Sequence, residues 1–418
     1  SSPIQSGTVP GNNIYRYDSN IGTQDFSDDT PADPGWQSFS GAMTVGKGYA
    51  ASGGGSATFT GTANNGDLSF GLDYNALNVG SLAPGTPYNL VGNPYPSAIS
   101  ATALVNAAAN SSVIDGALYF WNDDLSAGAD FTSSDYAVWN GTGSTGTGAG
   151  STPPDGNIAS CQGFMVRALG PGPISFNNSM RVGAGNNGLF FRPAVEPAKI
   201  WVSVTGDNTY NEILVGMLAE ATDSQDRLYD ALKLNANPMV SLSAVNDGDD
   251  FAIMAFPHPQ QEKVIPLNLL VGQGGTHTFQ AHTMLGFDNY TVYLEDNLAS
   301  TFVELTEGIE VEADVVLGDN PDRFYLHFVP NLVTGVDETL TSELRVYGNL
   351  DQTFIDFSGN QTAGNLEILS ANGQLLFTQE ANLGNAPFVL NTRTYAAGVY
   401  IVKFTTGNKH HVARFSKF

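Results

Sequence analysis

The sequence predicts an all-β protein built as three consecutive β-sandwich domains, and three observations carry that prediction. Short apolar runs that alternate or are β-branched recur about every eight to twelve residues, each bounded by Gly, Asn, Asp or Pro. Charged residues make up only 14% of the chain, too few to coat the exposed faces of helical bundles, whereas Gly is abundant at 47. Hydrophobic residues reach 41% and aromatic residues 11%, enough for real cores, and 418 residues exceed what one ordinary core organises.

The first domain is expected over residues 1–193. Ala57-Thr58-Phe59-Thr60-Gly61 reads as a strand, and one short helix is expected near 100–110, where Ser100 precedes the run Ala101 to Ala109 as an N-cap. The tract Asn140 to Pro154 is rich in Gly, Ser and Thr and predicts a mobile loop. Within it, Gly141-Thr142-Gly143-Ser144-Thr145-Gly146 matches GxGxxG by letter. No strand is expected before it and no helix after it, so a nucleotide role is set aside. The link Pro193-Ala194-Val195-Glu196-Pro197 marks the first boundary.

A second sandwich is expected over 194–335, with strands at Ile200-Trp201-Val202-Ser203-Val204 and Thr291-Val292-Tyr293-Leu294. A weaker helical pattern runs from Ala219 to Leu232, and the apolar run Phe324-Tyr325-Leu326-His327-Phe328 closes the domain. The third domain, 340–418, shows seven short strands in quick succession. They centre on Leu344 to Tyr347, Phe354 to Phe357, Leu366 to Leu369, Leu375 to Phe377, Phe388 to Leu390, Ala396 to Phe404 and His411 to Phe415. Asn372-Gly373 between two of them is a strong hairpin signal, and the set describes a small immunoglobulin-like sandwich.

Charge excludes some partners. With 16 basic against 41 acidic residues the net charge is −25, which repels phosphate backbones and anionic lipid, so no nucleic-acid partner is expected. No run is apolar for long enough to span a membrane, so the protein is not expected to be membrane-spanning. The start, Ser1-Ser2-Pro3-Ile4, carries neither a charged n-region nor an apolar h-region, which suggests a mature form or a fragment. Cys161 is the only cysteine; no intrachain disulfide can form, and its apolar neighbourhood predicts a buried small hydrophobe.

Histidines constrain the chemistry further. Residues 1–257 hold none, so neither a Ser-His-Asp nor a Cys-His arrangement nor a zinc site of Cys/His type can be built from the first domain. His277 and His282, five apart in an expected hairpin, are a weak metal candidate. Carboxylate pairs for glycoside hydrolysis are left open by 41 acidic residues. Trp36, Trp121, Tyr136 and Trp139 either stack on sugar rings or fill the core, and the core reading is preferred. Asn122-Asp123-Asp124 and Asn246-Asp247-Gly248-Asp249-Asp250 offer oxygen ligands, so Asp247, Asp249 and Asp250 are weak Ca²⁺ candidates. Neither segment has EF-hand spacing, and ordinary Asx turns are the simpler reading. No catalytic residue and no cofactor other than that optional calcium is expected.

At its C-terminal end the chain resembles the type A sorting domain of type IX secretion substrates in Bacteroidetes. That pattern opens with a Val-Tyr-Pro-Asn-Pro strand, has an Asn-Gly hairpin, continues with Gly-Val-Tyr-Ile-Val and ends on a basic strand. Val346-Tyr347, Asn372-Gly373, Gly398-Val399-Tyr400-Ile401-Val402 and Lys417-Phe418 match in order and spacing. One departure is Gly348-Asn349-Leu350 where Pro-Asn-Pro is usual.

The resemblance implies recognition by the type IX translocon and its sorting-domain-binding shuttle protein, through these residues together with Lys403 and Arg414. It implies passage through the periplasm to the outer-membrane surface or medium of a Gram-negative bacterium. After Glu380 the chain has no acidic residue, while Arg393, Lys403, Lys409, Arg414 and Lys417 are basic. Such a tip either steers docking or protects an edge strand.

Upstream, Val91-Gly92-Asn93-Pro94-Tyr95-Pro96-Ser97, Gly116 to Trp121, Gln162 to Val166 and Phe176 to Arg181 resemble modules of large Bacteroidetes surface proteins, as do Leu294-Glu295-Asp296 and Arg323 to Leu326. This implies a stalk or anchor and not a catalyst. The leading expectation is therefore a non-enzymatic structural or adhesin-type surface protein. A glycan-binding or glycan-degrading protein and a self-assembling filament subunit are the alternatives.

Overall fold

The computed structural model describes residues 13–19, 35–52, 59, 61–74, 87–122, 136–148, 151–183, 197–206, 209–234, 239–331, 344–348, 352–357, 362–370, 374–383, 387–396, 398–407 and 409–417. They are overwhelmingly strand, as the sequence predicts. The chain divides into two compact units, Ser1–Asn331 and Leu332–Phe418.

The first unit opens with a three-stranded sheet of Trp36–Phe39, Asn13–Tyr17 and Ala50–Ser52, followed by a five-stranded antiparallel sheet in the order Tyr88–Gly92, Gly163–Ala168, Ile114–Trp121, Tyr136–Trp139, Ser144–Thr145. One face packs on a core of Val91, Leu118, Phe120, Phe164 and Val166 against the helix residues Leu104 and Val105. That helix is Ala101–Asn106, and the Ser100 side chain accepts from the Ala103 amide as a cap should. It stops before the expected Ala109 because Ala107 turns extended and the fully buried Asn110 amide takes the Leu104 carbonyl.

Among the described residues, 198–330 form an eleven-stranded sheet in which Thr209–Met217 and Asp249–Phe256 are the one parallel pair. Lys263–Val271 shows why the chain chooses strand here. Ile265, Leu267, Leu269 and Val271 are buried, while Val264, Pro266, Asn268 and Leu270 alternate toward the other side. The two edge strands, Thr301–Leu305 and Glu310–Val315, follow one another in the chain, so the sheet folds back around a single core.

The division expected at 193–194 falls inside this first unit. A shared apolar cluster joins Tyr88, Tyr119 and Met165 of the five-stranded sheet to Leu214, Ala231 and Ile253 of the eleven-stranded one. Polar ties reinforce it: the Tyr119 hydroxyl donates to the Leu232 carbonyl, the Gly116 amide to Arg227 and the Gly141 amide to Leu228.

Several sequence expectations are corrected here. Ala219 to Leu232 is not a helix but a set of turns ending in the strand Ala231–Leu232. Its carboxylates compete for backbone donors, with Asp226 accepting from the Thr222 amide and Asp230 from the amides of Asp226 and Ala255. The described part of Asn140 to Pro154 is no loose loop. Asn140, Thr142, Thr145 and Thr147 are buried, the Asn140 side chain accepts from the Thr142 amide, and the Thr142 hydroxyl donates to Tyr229. A strand, Tyr136–Trp139, does precede the GxGxxG letters, although no helix follows among the described residues. Cys161 is half-exposed at φ 67, a turn residue and not a buried hydrophobe. Most of Ala57 to Gly61 and of the link Pro193 to Pro197, and the pair Asp123-Asp124, lie outside the described residues.

The second unit has seven described strands in two sheets. Leu344–Gly348, Gln352–Phe357 and Phe388–Asn391 form one; Leu375–Leu383, Thr362–Ser370, Gly398–Thr406 and Lys409–Lys417 form the other. Every described pairing is antiparallel. Between the sheets lie Leu344, Ile355, Phe357, Leu366, Ile368, Val402 and Phe404. Burying such side chains stabilises by about 1.5–3 kcal/mol each, which is how a unit this small sustains a core of its own.

Candidate functional site

In the second unit the alternation of a strand divides the predicted recognition residues into two sets. Tyr347, Tyr400 and Val402 are buried and half-buried Val346 packs on the same core, so these residues hold the sandwich together. Tyr347 stacks on Phe354 at 5.7 Å between ring centres, and Tyr400 stacks on Phe415 at 5.1 Å while its hydroxyl donates to the Ala396 carbonyl. Exposed Gly398, Val399 and Arg414, and half-buried Ile401 and Lys403, are the members within reach of a partner.

Lys403 pairs with Glu367 at 3.2 Å, a contact worth little at an exposed sheet face. Lys417 donates to the Thr392 carbonyl, and Arg393 is exposed. Asn372 and Gly373 lie outside the described residues; the strands on either side of them pair antiparallel, with Leu369 opposite Leu375. The departure at Gly348 has a steric reason. A Cβ there would stand 2.2 Å from the Gln352 carbonyl oxygen, and the strand pairs on through Gly348 to Thr353.

The first unit holds ionisable groups inside its sheets, each consumed by fixed partners. His327 is fully buried, with Nδ1 2.7 Å from Glu262 and Nε2 2.8 Å from Glu295. A carboxylate at each nitrogen favours the doubly protonated ring, in which both nitrogens donate. Burial works against that charge, but the hydrogen bonds to Glu262 and Glu295 outweigh it and hold the pKa above the usual histidine value.

Arg323 grips Asp296 with two bonds of 3.0 and 2.7 Å and donates to the Asp314 carbonyl. Burial pushes the Asp296 carboxyl up, yet Arg323 keeps it below the ordinary range. Arg167 directs Nε and one terminal nitrogen at a single oxygen of Asp115, Oδ2, at 2.9 and 2.8 Å. Glu212 accepts from the Gly146 amide, the Tyr210 hydroxyl and His282 at 2.8 Å, which tie it down as an anion against its own burial.

The remaining candidates disperse. His277 and His282 sit on one long strand, Gly275–Leu285, and not in a hairpin; His277 packs on Gly206 while His282 faces Glu212. Asp247 and Gly248, at φ 51 and 88, form a two-residue turn that pairs Asn246 with Asp249. Asp250 accepts from the Ser243 hydroxyl instead of joining Asp247 and Asp249. Among the described residues no three His, Cys, Asp or Glu side chains are placed to hold a metal ion.

Trp139 is in the core and Trp36 packs edge-on against Tyr17. Trp121, 40% exposed, stands at 79° to Tyr136, so the pair offers no flat platform. The acid–histidine–acid clamp at His327 is invisible in sequence because Glu262, Glu295 and His327 meet only through strand pairing.

Compared with known families, residues 2–328 match the family described as Domain of unknown function (DUF8693), and residues 349–417 match the Secretion system C-terminal sorting domain. The first match spans more than half of the chain, and the chain belongs to that family. The second makes the protein a type IX secretion substrate, exported to the medium or the cell surface by machinery that engages its C-terminal unit. No helix among the described residues is long and apolar enough to cross a membrane. No curated protein matches the chain.

Proposed function

We propose that the protein is a non-enzymatic structural or adhesin-type component of the bacterial surface, delivered there by its sorting unit. The carrying observation is how the first unit uses its buried charge. His327, Arg323, Arg167 and Glu212 all spend their hydrogen-bonding capacity on neighbouring side chains and backbone. Groups so committed are braces: they fix strand register and are not themselves free to move a proton to a substrate. The proposal includes a Bacteroidetes source, passage through the periplasm and a shuttle protein that receives the exposed face around Val399, Lys403 and Arg414. It includes no cofactor.

The test is the purified chain incubated with a panel of polysaccharides and peptides, beside an adhesion assay on cells with and without residues 1–331. Adhesion lost with no substrate turned over supports the reading. Reducing ends or peptides released in proportion to protein would overturn it.

A further inference from the structure

We infer that Lys233 and Asn211 are the two halves of an intramolecular isopeptide cross-link, in which the lysine amine displaces the asparagine side-chain nitrogen as ammonia. The link would join the strand Thr209–Met217 to the segment that follows Ala231–Leu232.

Geometry brings the two together. Both side chains are buried, at 5% and 4% exposure, and Lys233 Nζ lies 2.6 Å from Asn211 Oδ1. With a C=O bond of about 1.23 Å, that places the nitrogen roughly 3–4 Å from the amide carbon, around the distance from which a held nucleophile attacks. The Leu242 amide donates to the same Oδ1 at 3.0 Å. Val138, Leu234, Ala252 and Glu212 line the small cavity that both residues share.

A buried lysine ordinarily takes a carboxylate as its direct partner. Lys233 instead points at an amide. Burial pushes its ammonium down to about 8, against the opposing pull of Glu212 and Asp250. At neutral pH about a tenth of the side chain is then the free amine, compared with less than a thousandth for an ordinary lysine.

The step balances without any co-reactant. The Nζ lone pair adds to the Asn211 amide carbon, and the carbonyl electrons move onto Oδ1, where the Leu242 N–H meets the developing charge. One Nζ proton passes to the departing nitrogen within the tetrahedral adduct, where both nitrogens are bonded to the same carbon. The carbonyl re-forms, the bond from carbon to Nδ2 breaks and ammonia leaves. A primary amide and an amine become a secondary amide and ammonia, with no change of oxidation state.

Mass spectrometry of the intact, full-length chain decides it. The expected mass lies below the sequence mass by one ammonia, about 17 Da. Trypsin does not cut after a lysine that is in amide linkage, so the digest should contain residues 200–227 joined to 228–263. Asn211→Ala and Lys233→Met should each abolish the joined species. An unreduced wild-type mass, with peptides 200–227 and 228–233 recovered separately, overturns the proposal whether or not any variant folds.

Discussion

Replacing His327 with leucine leaves Glu262 and Glu295 facing each other with their shared counter-charge gone. The Glu295 side chain is 11% exposed and that of Glu262 27%, so the first stays desolvated while the second partly rehydrates. Removing one member of a buried ionic group costs about 3–5 kcal/mol, and the relief open to Glu262 argues for the lower end, about 3 kcal/mol. The first unit spans Ser1–Asn331, so an unfolding entropy of about 2.1 cal/mol/K per residue gives roughly 0.7 kcal/mol per degree and a loss of about 4 °C.

The same residue sets a pH dependence with a definite sign. The folded pKa of His327 is raised, so its stabilisation is complete below the unfolded value of about 6.5 and is lost as pH rises through the higher folded value. Calorimetric melts of wild type and His327→Leu at about pH 5.5 and about pH 9 should therefore converge at the alkaline end. A difference that is absent at acid pH, or that grows with alkalinity, would refute the ionic account of this site.

Three further outcomes follow from the same structure. Asn93→Ala removes a fully buried amide that donates to Ser97, Ile158 and Ala159 and accepts from Tyr95, and should cost about 3 kcal/mol in denaturant unfolding. A loss under about 1 kcal/mol would mean that the loop re-pairs without it. Reversing Lys409, Arg414 and Lys417 to Glu together should slow export about tenfold in a pulse–chase of the culture medium, and an unchanged rate would reduce these charges to edge protection. Adding a chelator should leave the thermal melt where it is; a fall of several degrees would show that calcium holds one of the acidic turns.

How much of this the sequence disclosed depends on how local the signal was. The seven strands of the second unit were legible because each is an alternating apolar run a few residues from the next, as in Leu366, Ile368 and then Tyr400, Val402, Phe404. The Ser100 cap was legible for the same reason. Asn140 to Thr147 was not, because Gly, Ser and Thr look like loop when their partners are distant. Here the partners are Leu228 and Tyr229, nearly ninety positions along the chain.

The boundary expected at 193 lies inside the first compact unit, for a related reason. Prolines mark where a chain turns, but Tyr119 and Ile253 sharing one apolar cluster is a fact of tertiary packing. Of the candidate site, order and spacing revealed Val346 to Lys417 as a set. Which members face outward needed the pleat, and the pairing of Lys233 with Asn211 needed the fold, since a lysine between two leucines reads as a solvent-facing strand position.

The central claim is that residues 332–418 form a self-sufficient unit that the secretion machinery grips. Its most direct test is to fuse this segment to a stable periplasmic reporter and measure how much reporter appears outside the cell, beside the chain truncated after Asn331. The account predicts reporter in the medium or on the surface, and truncated chain retained within the cell. Retention of the fusion, or release of the truncated chain, would contradict it.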